Sequence, residues 1–367
     1  MPKNLKIVVI ILGTLVASFG LYLALQYWSN SGQNANDTDS NGSLASGQVS
    51  TRKLASVSNN LIFDFWVNEK TSDIYYVTLN GQIMRLSAGS EQVLSSQAIP
   101  ELNFILPSAD GSAVLIAIGR PQTPTFSVFD TVKRSFTPLP ANTTAAAWDP
   151  KSNNRIAYLR GGGIVKSLNF FDVSSKKSSE LIKLNQNDMV LDWVLPNVIY
   201  IRDRYSDKAA GTTATYDIKN KTLDITGEEI NTATKWRLDG NYGLKWLNNS
   251  LMLIDTNGRV ITGIDLKAAP QDCAFSDAFI YCGGAAEQQG ASSRNVLTAR
   301  LKNSSRAQQS IYAIPSFNPT SQSELFATIF FDGNSNETPI NPIHLESINK
   351  KLLFIDGSSH KLYQLTL

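Results

Sequence analysis

The stretch that decides the fold is FDFWVNEKTSDIYYV at residues 63–77, where an aromatic residue, a tight turn and a short apolar strand follow one another. Similar stretches return around three further tryptophans and, shortened, around a phenylalanine: AAAWDPKSNNRIAYL (145–159), VLDWVLPNVIYIRD (190–203), GLKWLNNSLMLID (243–255) and DCAFSDAFIYCG (272–283). Their intervals average about forty residues, the period of a four-stranded propeller blade. The recurrence therefore predicts an all-β propeller.

The pattern of strands and turns supports the same fold from about residue 58 onward. Short runs rich in Ile, Val, Leu, Tyr and Phe alternate with hairpin signals, which are Asn80-Gly81, Asp110-Gly111, Asn257-Gly258, Asp332-Gly333 and Asp356-Gly357. No window keeps a helical period for a dozen residues without such a breaker. Candidate blades begin near residues 60, 98, 142, 187, 232, 268 and 318. Seven blades fit best, although six or eight also fit, and residues 52–58 are expected to close the ring by adding a strand to the last blade.

The N-terminal segment predicts a membrane anchor. Residues 7–28 carry no charge and are long enough to span a bilayer, Lys3 and Lys6 precede them, and Asp37 is the first charge after them. Residues 1–6 are therefore expected to be a cytoplasmic stub and the rest of the chain to lie outside the cytoplasm. The alternative is a cleaved signal peptide, against which the length of the run and the bulky residues at its end argue. Residues 29–57 are rich in Ser, Asn, Gly and Asp and predict a flexible linker, which leaves 58–367 for the propeller.

Composition argues against nucleic acid as a partner. The 367 residues include 33 basic and 31 acidic side chains with no block of like charge, and the charged fraction is 17%. A nucleic-acid-binding protein would be expected to carry a basic patch. The abundance of Ser, Thr, Asn and Gly is typical of a turn-rich β protein outside the cytoplasm.

The recurring aromatic residues are interpreted as packing between blades. A large ring in the first or second strand of a blade buries much apolar area against its neighbour. This prediction covers Trp66, Phe104, Trp148, Trp193, Trp246 and Phe275. The alternative is an aromatic ligand cage, which would need the rings to point into one cavity. The neighbouring acids Asp64, Asp149 and Asp192 are interpreted as partners at turns and strand ends, not as catalytic carboxylates.

The two cysteines predict a disulfide. If the turn of CAFSDAFIYC is centred on Asp277-Ala278, Cys273 lies directly opposite Cys282 at a non-hydrogen-bonded position, where a disulfide fits. The expected compartment is oxidising, and the chain has no other cysteine. Two reduced core cysteines are the alternative.

The sequence offers no catalytic constellation and no cofactor motif. It lacks a G-x-S-x-G elbow, an H-E-x-x-H pair, a Walker loop and a dinucleotide fingerprint. The two histidines, His344 and His360, are expected to be exposed or structural. The oxygen-bearing residues of FFDGNSNETP resemble the beginning of a calcium loop, although ordinary turn chemistry explains them as well; they are Asp332, Asn334, Asn336 and Glu337.

Several segments together resemble bacterial membrane-anchored WD40-like or TolB-like β-propellers. They are ADGSAVLIAIG (109–119), AWDPKSNNRIAYL (147–159), DWVLPNVIYI (192–201), APQDCAFSDAFIYCGG (269–284) and KLLFIDGSSHKLYQLTL (351–367). The resemblance covers about 300 residues, but Phe275 stands where the paired-Cys element of that group has Trp, and the G-H…W-D signature is missing. It implies a propeller in the cell envelope and provides no catalytic residues to transfer.

Two hypotheses of function follow. The first is a non-catalytic binding or scaffolding propeller, held at the membrane by residues 7–28 and engaging a protein or an envelope polymer through one face or the channel. Its polar loops at 202–213 and 283–294 are the expected contact surfaces. The second is an envelope glycan hydrolase or lyase with acid and base carboxylates in the channel. Two or three buried acids with raised pKa values would favour the enzyme.

Overall fold

Seven four-stranded antiparallel sheets make up the part of the chain that the structure describes. The computed structural model describes residues 54–95, 97–121, 123–185, 188–204, 210–230, 233–247, 250–285, 309–316, 324–328 and 341–367. The prediction of an all-β propeller with seven blades is confirmed. The predicted stub, membrane span and most of the linker lie outside the described residues. Within these ranges, no helix is long and apolar enough to cross a membrane.

The strands follow one another along the chain, and each blade is named here by its order. Strand β1 is Leu54–Ser56. Blade 1 contains β2 (Ile62–Val67), β3 (Ile74–Thr78), β4 (Ile83–Ser87) and β5 (Ser90–Val93). Blade 2 contains β6 (Leu102–Pro107), β7 (Ala113–Ile118), β8 (Thr125–Asp130) and β9 (Ser135–Pro138). Blade 3 contains β10 (Thr143–Trp148), β11 (Arg155–Arg160), β12 (Val165–Asp172) and β13 (Lys177–Asn185).

The remaining blades continue the same order. Blade 4 contains β14 (Met189–Leu195), β15 (Val198–Asp203), β16 (Ala210–Asp217) and β17 (Thr222–Ile230). Blade 5 contains β18 (Ala233–Trp236), β19 (Tyr242–Leu247), β20 (Ser250–Asp255) and β21 (Val260–Ile264). Blade 6 contains β22 (Cys273–Phe275), β23 (Phe279–Ala285), β24 (Gln309–Pro315) and β25 (Glu324–Thr328), and a short 3-10 helix at Pro270–Asp272 precedes it. Blade 7 contains β26 (Pro342–Ile348), β27 (Lys351–Asp356) and β28 (Leu362–Thr366).

Strand β1 closes the ring as the fourth strand of blade 7. It pairs antiparallel with β28, with Leu54 opposite Leu365 and Ser56 opposite Tyr363. The closing strand expected at residues 52–58 is therefore present, and the last residues of the predicted linker belong to the sheet. The pairing gives β28 a partner on the side that would otherwise be a free edge.

The predicted blade starts agree with the structure for six blades and are wrong for the last. The first strands begin at residues 62, 102, 143, 189, 233 and 273, within about five residues of the predicted positions. Blade 7 begins at residue 342 and not near 318, because Gln309–Pro315 and Glu324–Thr328 are the outer strands of blade 6. From residue 342 onward the chain supplies three strands of blade 7, and β1 provides the fourth.

Apolar clusters between neighbouring blades form the core. Trp66, Ile105 and Val114 belong to one that joins blades 1 and 2. Comparable clusters join blades 2 and 3, 3 and 4, 5 and 6, 6 and 7, and 7 and 1. The first strands lie around a common channel, because β2 contacts β6 and β26, and β10 contacts β6 and β14.

A tight turn shows how closely two blades approach. Gly111, between β6 and β7, has a φ of +68°, and a Cβ there would collide with the carbonyl oxygen of Val67 in blade 1. Glycine therefore satisfies both the left-handed backbone and the close contact. The indole Nε1 of Trp66 donates a hydrogen bond of 3.1 Å to the Gly111 carbonyl oxygen, which fixes the turn against blade 1.

Candidate functional site

The central channel contains a cavity of about 570 Å³ to which all seven blades contribute, and we call it the channel pocket. Each inner strand or the segment before it supplies at least one wall residue. In blade order these include Asp64, Leu106, Trp148, Asp192, Lys235, Gln271 and Glu346. Its size lies within the range of ligand pockets in proteins, so the channel is the first place to look for function.

Much of the pocket wall is apolar. Ile105, Leu106 and Pro107 form one side, and Leu238 stands on the loop between β18 and β19 with 64% of its surface exposed. Exposed leucines are ordinary when they are isolated. Leu238 differs because it adjoins a concave apolar wall, so a bound molecule would cover it.

A histidine and two carboxylates come together in the pocket from blades 1 and 7. His344 Nδ1 donates to Asp64 Oδ1, and its Nε2 lies 3.6 Å from Glu346 Oε1. The register of β26 shifts between Ile343 and Glu346, and His344 has a φ of +47°. A bulge of this kind re-aims a side chain, here into the channel.

A lysine extends this cluster across the channel from blade 5. Lys235 Nζ donates to Glu346 Oε1 at 2.9 Å and to the Leu345 carbonyl oxygen at 3.0 Å. The inner strands of blades 5 and 7 are thereby joined by a side chain, past blade 6. We call Asp64, Lys235, His344 and Glu346 the channel ion cluster.

The pKa values within the cluster follow from its pairing. Burial opposes the charged form of His344, but the charge and hydrogen bond of Asp64 outweigh it and raise the pKa of His344 to about 9. Burial likewise opposes the ionised form of Glu346, but the charge of Lys235 and the adjacent His344 outweigh it and lower the pKa of Glu346 to about 2. At neutral pH both groups are therefore charged.

Three other charged residues of the wall are also paired. Asp149 accepts from Arg155 Nε at 2.8 Å, and Asp192 accepts from Arg202 Nε at 3.3 Å. Arg237 lies 3.3 Å from Asp239 and bonds Tyr242 Oη at 2.9 Å. The acids Asp64, Asp149 and Asp192 are thus held by cations of the chain itself. Asp149, Asp192 and Arg237 each have a partner of opposite charge within the chain.

One carboxyl group near the cluster has a raised pKa. Partial burial, followed by the negative charge of Glu346, raises the pKa of Glu69. Glu69 lies in the exposed loop after β2. An inverting or retaining glycosidase uses two carboxyl groups across the scissile bond, one of them with a raised pKa. Glu69 alone does not supply that pair.

Three residues of the channel ion cluster, Lys235, His344 and Glu346, are not predicted as site residues by the sequence. His344 and Glu346 are two positions apart in NPIHLES, a spacing that places two residues on one face of a strand. Lys235 and Trp236 lie in the short strand ATKW, which precedes the GLKWLNNSLMLID stretch that was taken as the blade signal. The start of this strand was predicted near residue 232, but Trp246 was chosen as the aromatic residue instead of Trp236.

Three of the aromatic residues predicted to pack between blades lie on inner strands and are almost fully buried. Trp66, Trp148 and Trp193 have exposed fractions of 1%, 5% and 6%. Trp148 Nε1 donates to the Leu106 carbonyl oxygen of blade 2 at 2.8 Å, and the Trp193 ring stacks on Phe170 of blade 3 at 4.9 Å. Each ring therefore contacts the preceding or following blade.

The other three aromatic residues occupy different positions. Trp246 is buried but lies in the second strand of blade 5, so it is not equivalent to the inner-strand tryptophans; Trp236 holds that place. Phe275 contacts Tyr242 of blade 5 edge to face at 5.6 Å. Phe104 departs from the expectation, since 39% of it is exposed and its ring faces Phe126 within the same blade. A register shift between Leu102 and Phe104 accompanies this orientation.

The disulfide is present between Cys273 and Cys282. The two residues are directly opposite each other, with Ala274 opposite Tyr281 and Phe275 opposite Ile280, which is the predicted register. Both cysteines are fully buried in the cluster between blades 5 and 6. The bridge therefore ties the first hairpin of blade 6 inside the core.

No metal site is found in the described ranges, where no group of three or more His, Cys, Asp and Glu side chains is placed to hold an ion. The calcium candidates Asp332, Asn334, Asn336 and Glu337 lie outside those ranges. They remain a prediction from sequence.

Comparisons with known proteins show the fold. No protein-family model matches the chain, and the comparison with curated proteins finds no significant similarity. Among solved structures, an oligogalacturonate lyase in complex with manganese is similar with a TM-score of 0.59 and 11% identity, over 86% of this chain and 93% of that one. The mitotic checkpoint complex contains a similar chain, with a TM-score of 0.54 and 10% identity over 91% of this chain and 99% of that one.

The WD40 repeats of RRP9 are similar as well, with a TM-score of 0.53 and 9% identity over 87% of this chain and 98% of that one. Identities this low carry no activity or ligand from one protein to another. The WD40-like part of the resemblance noted from the sequence is supported, while membrane anchoring and bacterial origin stay predictions. This chain has the fold of a seven-bladed β-propeller with WD40-like structural neighbours.

Proposed function

We propose that this chain is a membrane-anchored, extracytoplasmic binding propeller whose channel pocket engages a protein partner. The observation that carries the proposal is the pairing of the charged residues in the pocket wall. Asp64 is held by His344, Glu346 by Lys235, and Asp149 by Arg155. Charges fixed in this way give orientation and specificity to a bound partner, whereas acid–base catalysis needs a group whose pKa lies near the working pH.

The apolar part of the pocket supports a polypeptide as the occupant. A protein interface has an apolar centre and a polar rim. Here Leu106, Pro107 and Leu238 supply the apolar wall beside the charged groups of Lys235 and Arg237. One structural neighbour was solved within a protein assembly, which is consistent with a partner of this class.

The location proposed for the protein rests on the N-terminal sequence and the disulfide. Residues 7–28 have the length and composition of a membrane span, and positive residues precede them. A buried disulfide is typical of oxidising compartments. The partner is accordingly expected to be a protein of the cell envelope.

Substitution at the rim of the pocket tests the proposal. Leu238→Asp places a charge on the apolar wall and is expected to reduce recovery of the partner from detergent-solubilised cells at least about tenfold. Val132→Asp is the matched control, because Val132 is 80% exposed on the turn between β8 and β9 of blade 2. Equal recovery with the two variants, or the absence of a recurring partner with the wild-type chain, would refute the proposed function.

The alternative is an envelope glycan hydrolase or lyase that acts in the channel. The lyase among the structural neighbours and the raised pKa of Glu69 favour it. The lowered pKa of Glu346 argues against this residue as a general acid. Release of reducing or unsaturated ends from envelope glycans by the wild-type chain, and its loss in Glu346→Gln and Glu69→Gln, would establish the enzyme and displace the binding proposal.

A further inference from the structure

The interface between blades 4 and 5 differs from the others that the structure describes. Apolar clusters of buried residues join the other six pairs of neighbouring blades. Between blades 4 and 5, no such cluster is found in the described residues. A cavity of about 730 Å³ lies there instead, and we call it the blade 4–5 cleft.

A few specific contacts join blades 4 and 5 beside the cleft. Tyr200 Oη donates to the Thr256 carbonyl oxygen at 2.9 Å, and its ring lies 4.9 Å from that of Trp236. Thr234 Oγ1 donates to Asp192 Oδ2 at 2.8 Å. The contact of Thr234 joins the inner strands of the two blades, and that of Tyr200 joins the second strand of blade 4 to the β20–β21 turn of blade 5. Farther out, the walls are β16 and β17 on one side and the turn Thr256–Arg259 on the other.

Six neutral hydrogen-bonding side chains line the cleft, as many as the charged ones. They are Thr213, Thr215, Thr222, Thr234, Thr256 and Asn257. Hydroxyl and amide groups donate and accept, so they pair with a ligand group that also does both. The hydroxyl of Thr234 is already bonded to Asp192, and the aliphatic residues of the walls are Val198, Ile225, Ile254 and Val260.

The walls of the cleft carry equal numbers of acidic and basic residues. Its walls contain the acids Asp192, Asp217 and Asp224 and the bases Arg202, Lys245 and Arg259, three of each sign. Asp192 and Arg202 pair with each other at 3.3 Å. A site built for a polyanion would carry an excess of positive charge, and this one does not. The balance favours an uncharged ligand.

We propose that the blade 4–5 cleft binds an uncharged oligosaccharide. Sugar hydroxyls match Thr215, Thr222 and Asn257 as paired donors and acceptors. The cleft volume lies within the usual range for a ligand of a few rings. The cleft shares Asp192, Thr234 and Trp236 with the channel pocket but not its apolar wall, and this proposal does not depend on whether that pocket binds a protein.

Calorimetric titration of the purified full-length chain tests the proposal. The probes are soluble neutral hexasaccharides of glucose, mannose and N-acetylglucosamine, with hexagalacturonate and a heparin hexasaccharide as charged comparisons. At least one neutral probe is expected to bind at millimolar concentration or below. Binding of none of them, or tighter binding of a charged probe, would overturn the proposal.

A matched pair of variants locates the site. Thr222→Trp puts a large ring in the cleft and is expected to weaken binding at least about tenfold. Ser135→Trp is the control, because Ser135 is the first residue of the outermost strand of blade 2 and faces Asp130 as Thr222 faces Asp217. Equal weakening by the two variants, or none by Thr222→Trp, would contradict the assignment.

A second substitution covers the case in which Thr222→Trp fails to fold. The double variant Asn257→Ala with Arg259→Ala shortens two exposed side chains in the β20–β21 turn and is expected to weaken the same probe about tenfold, from the loss of one or two hydrogen bonds. Leu238→Asp is expected to leave the titration unchanged. Loss of sugar binding in Leu238→Asp would place the sugar in the channel pocket and not in the cleft.

Discussion

The indole nitrogens of Trp66 and Trp193 have different surroundings although both rings are buried between blades. Trp66 Nε1 donates to the Gly111 carbonyl oxygen, whereas Trp193 Nε1 is buried and has no hydrogen-bond partner among the described residues. A buried donor without a partner has lost its bond to water and gained nothing in return. The two side chains therefore stabilise the fold through similar apolar contacts, but only Trp66 adds a hydrogen bond.

Replacing each tryptophan by phenylalanine separates the contribution of the hydrogen bond from that of the apolar contacts. Trp66→Phe is expected to lower the free energy of unfolding by about 1–2 kcal/mol more than Trp193→Phe, because only the first change removes a hydrogen bond and leaves a buried carbonyl without its donor. Urea unfolding followed by tryptophan fluorescence measures both. Equal losses would show that the hydrogen bond to Gly111 contributes nothing.

The channel ion cluster gives stability a dependence on pH. The pKa of His344 is about 9 in the folded chain, above its usual value of 6.5. The stabilisation from charged His344 is therefore complete below about pH 6.5 and is lost as the pH rises through about 9. The pKa of Glu346 is about 2, so its contribution is present above about pH 4.5 and is lost as the pH falls towards 2.

A matched pair of histidine variants tests this dependence. His344 and His360 both have positive φ angles, which asparagine tolerates, so His344→Asn and His360→Asn disturb the backbone equally little. Between pH 6 and pH 9.5 the wild type and His360→Asn are expected to lose about 1–2 kcal/mol from this group, and His344→Asn is expected not to. A parallel decline in all three would remove His344 as the cause.

Among the strands, β1 is the one whose removal is expected to change stability most clearly. It pairs with β28 over Leu54–Ser56, and Leu54 packs against the cluster between blades 6 and 7. Without it, β28 becomes a free outer edge with unpaired backbone groups.

Truncation is the direct test of the closing strand. A chain that begins at residue 58 is expected to be about 2–4 kcal/mol less stable than one that begins at residue 49, from lost backbone hydrogen bonds and the exposure of Leu54. Thermal melting and light scattering of the two chains measure stability and association. Identical melting curves would mean that β1 does not close the ring.

The elements were largely predictable from the sequence, and their assignment to blades less so. Asn80-Gly81 and Asp110-Gly111 mark hairpins because glycine accepts the positive φ found at both turns. The start of blade 7 was misplaced because local pattern does not show which sheet a strand joins. The aromatic residue of blade 5 was assigned wrongly, because Trp246 lies in the second strand and Trp236, in the four-residue strand ATKW, occupies the inner position.

At the scale of the whole molecule, some sites form only when the seven blades close into a ring, so the sequence alone could not reveal them. Asp64, Lys235 and His344 are separated by more than a hundred residues at each step, and they meet only because seven blades place their inner strands around one channel. The disulfide was predictable, since its two cysteines belong to one hairpin. The channel ion cluster and the blade 4–5 cleft were not, since both arise from the closure and packing of blades.

The central claim is that the channel pocket holds a protein partner. Site-specific photo-crosslinking in intact cells tests it most directly, with a photoreactive amino acid at position 238 on the pocket rim and, as the control, at position 132 on blade 2. The same protein adduct is expected repeatedly from position 238 and not from position 132. No adduct from position 238, or the same adducts from both positions, would contradict the claim.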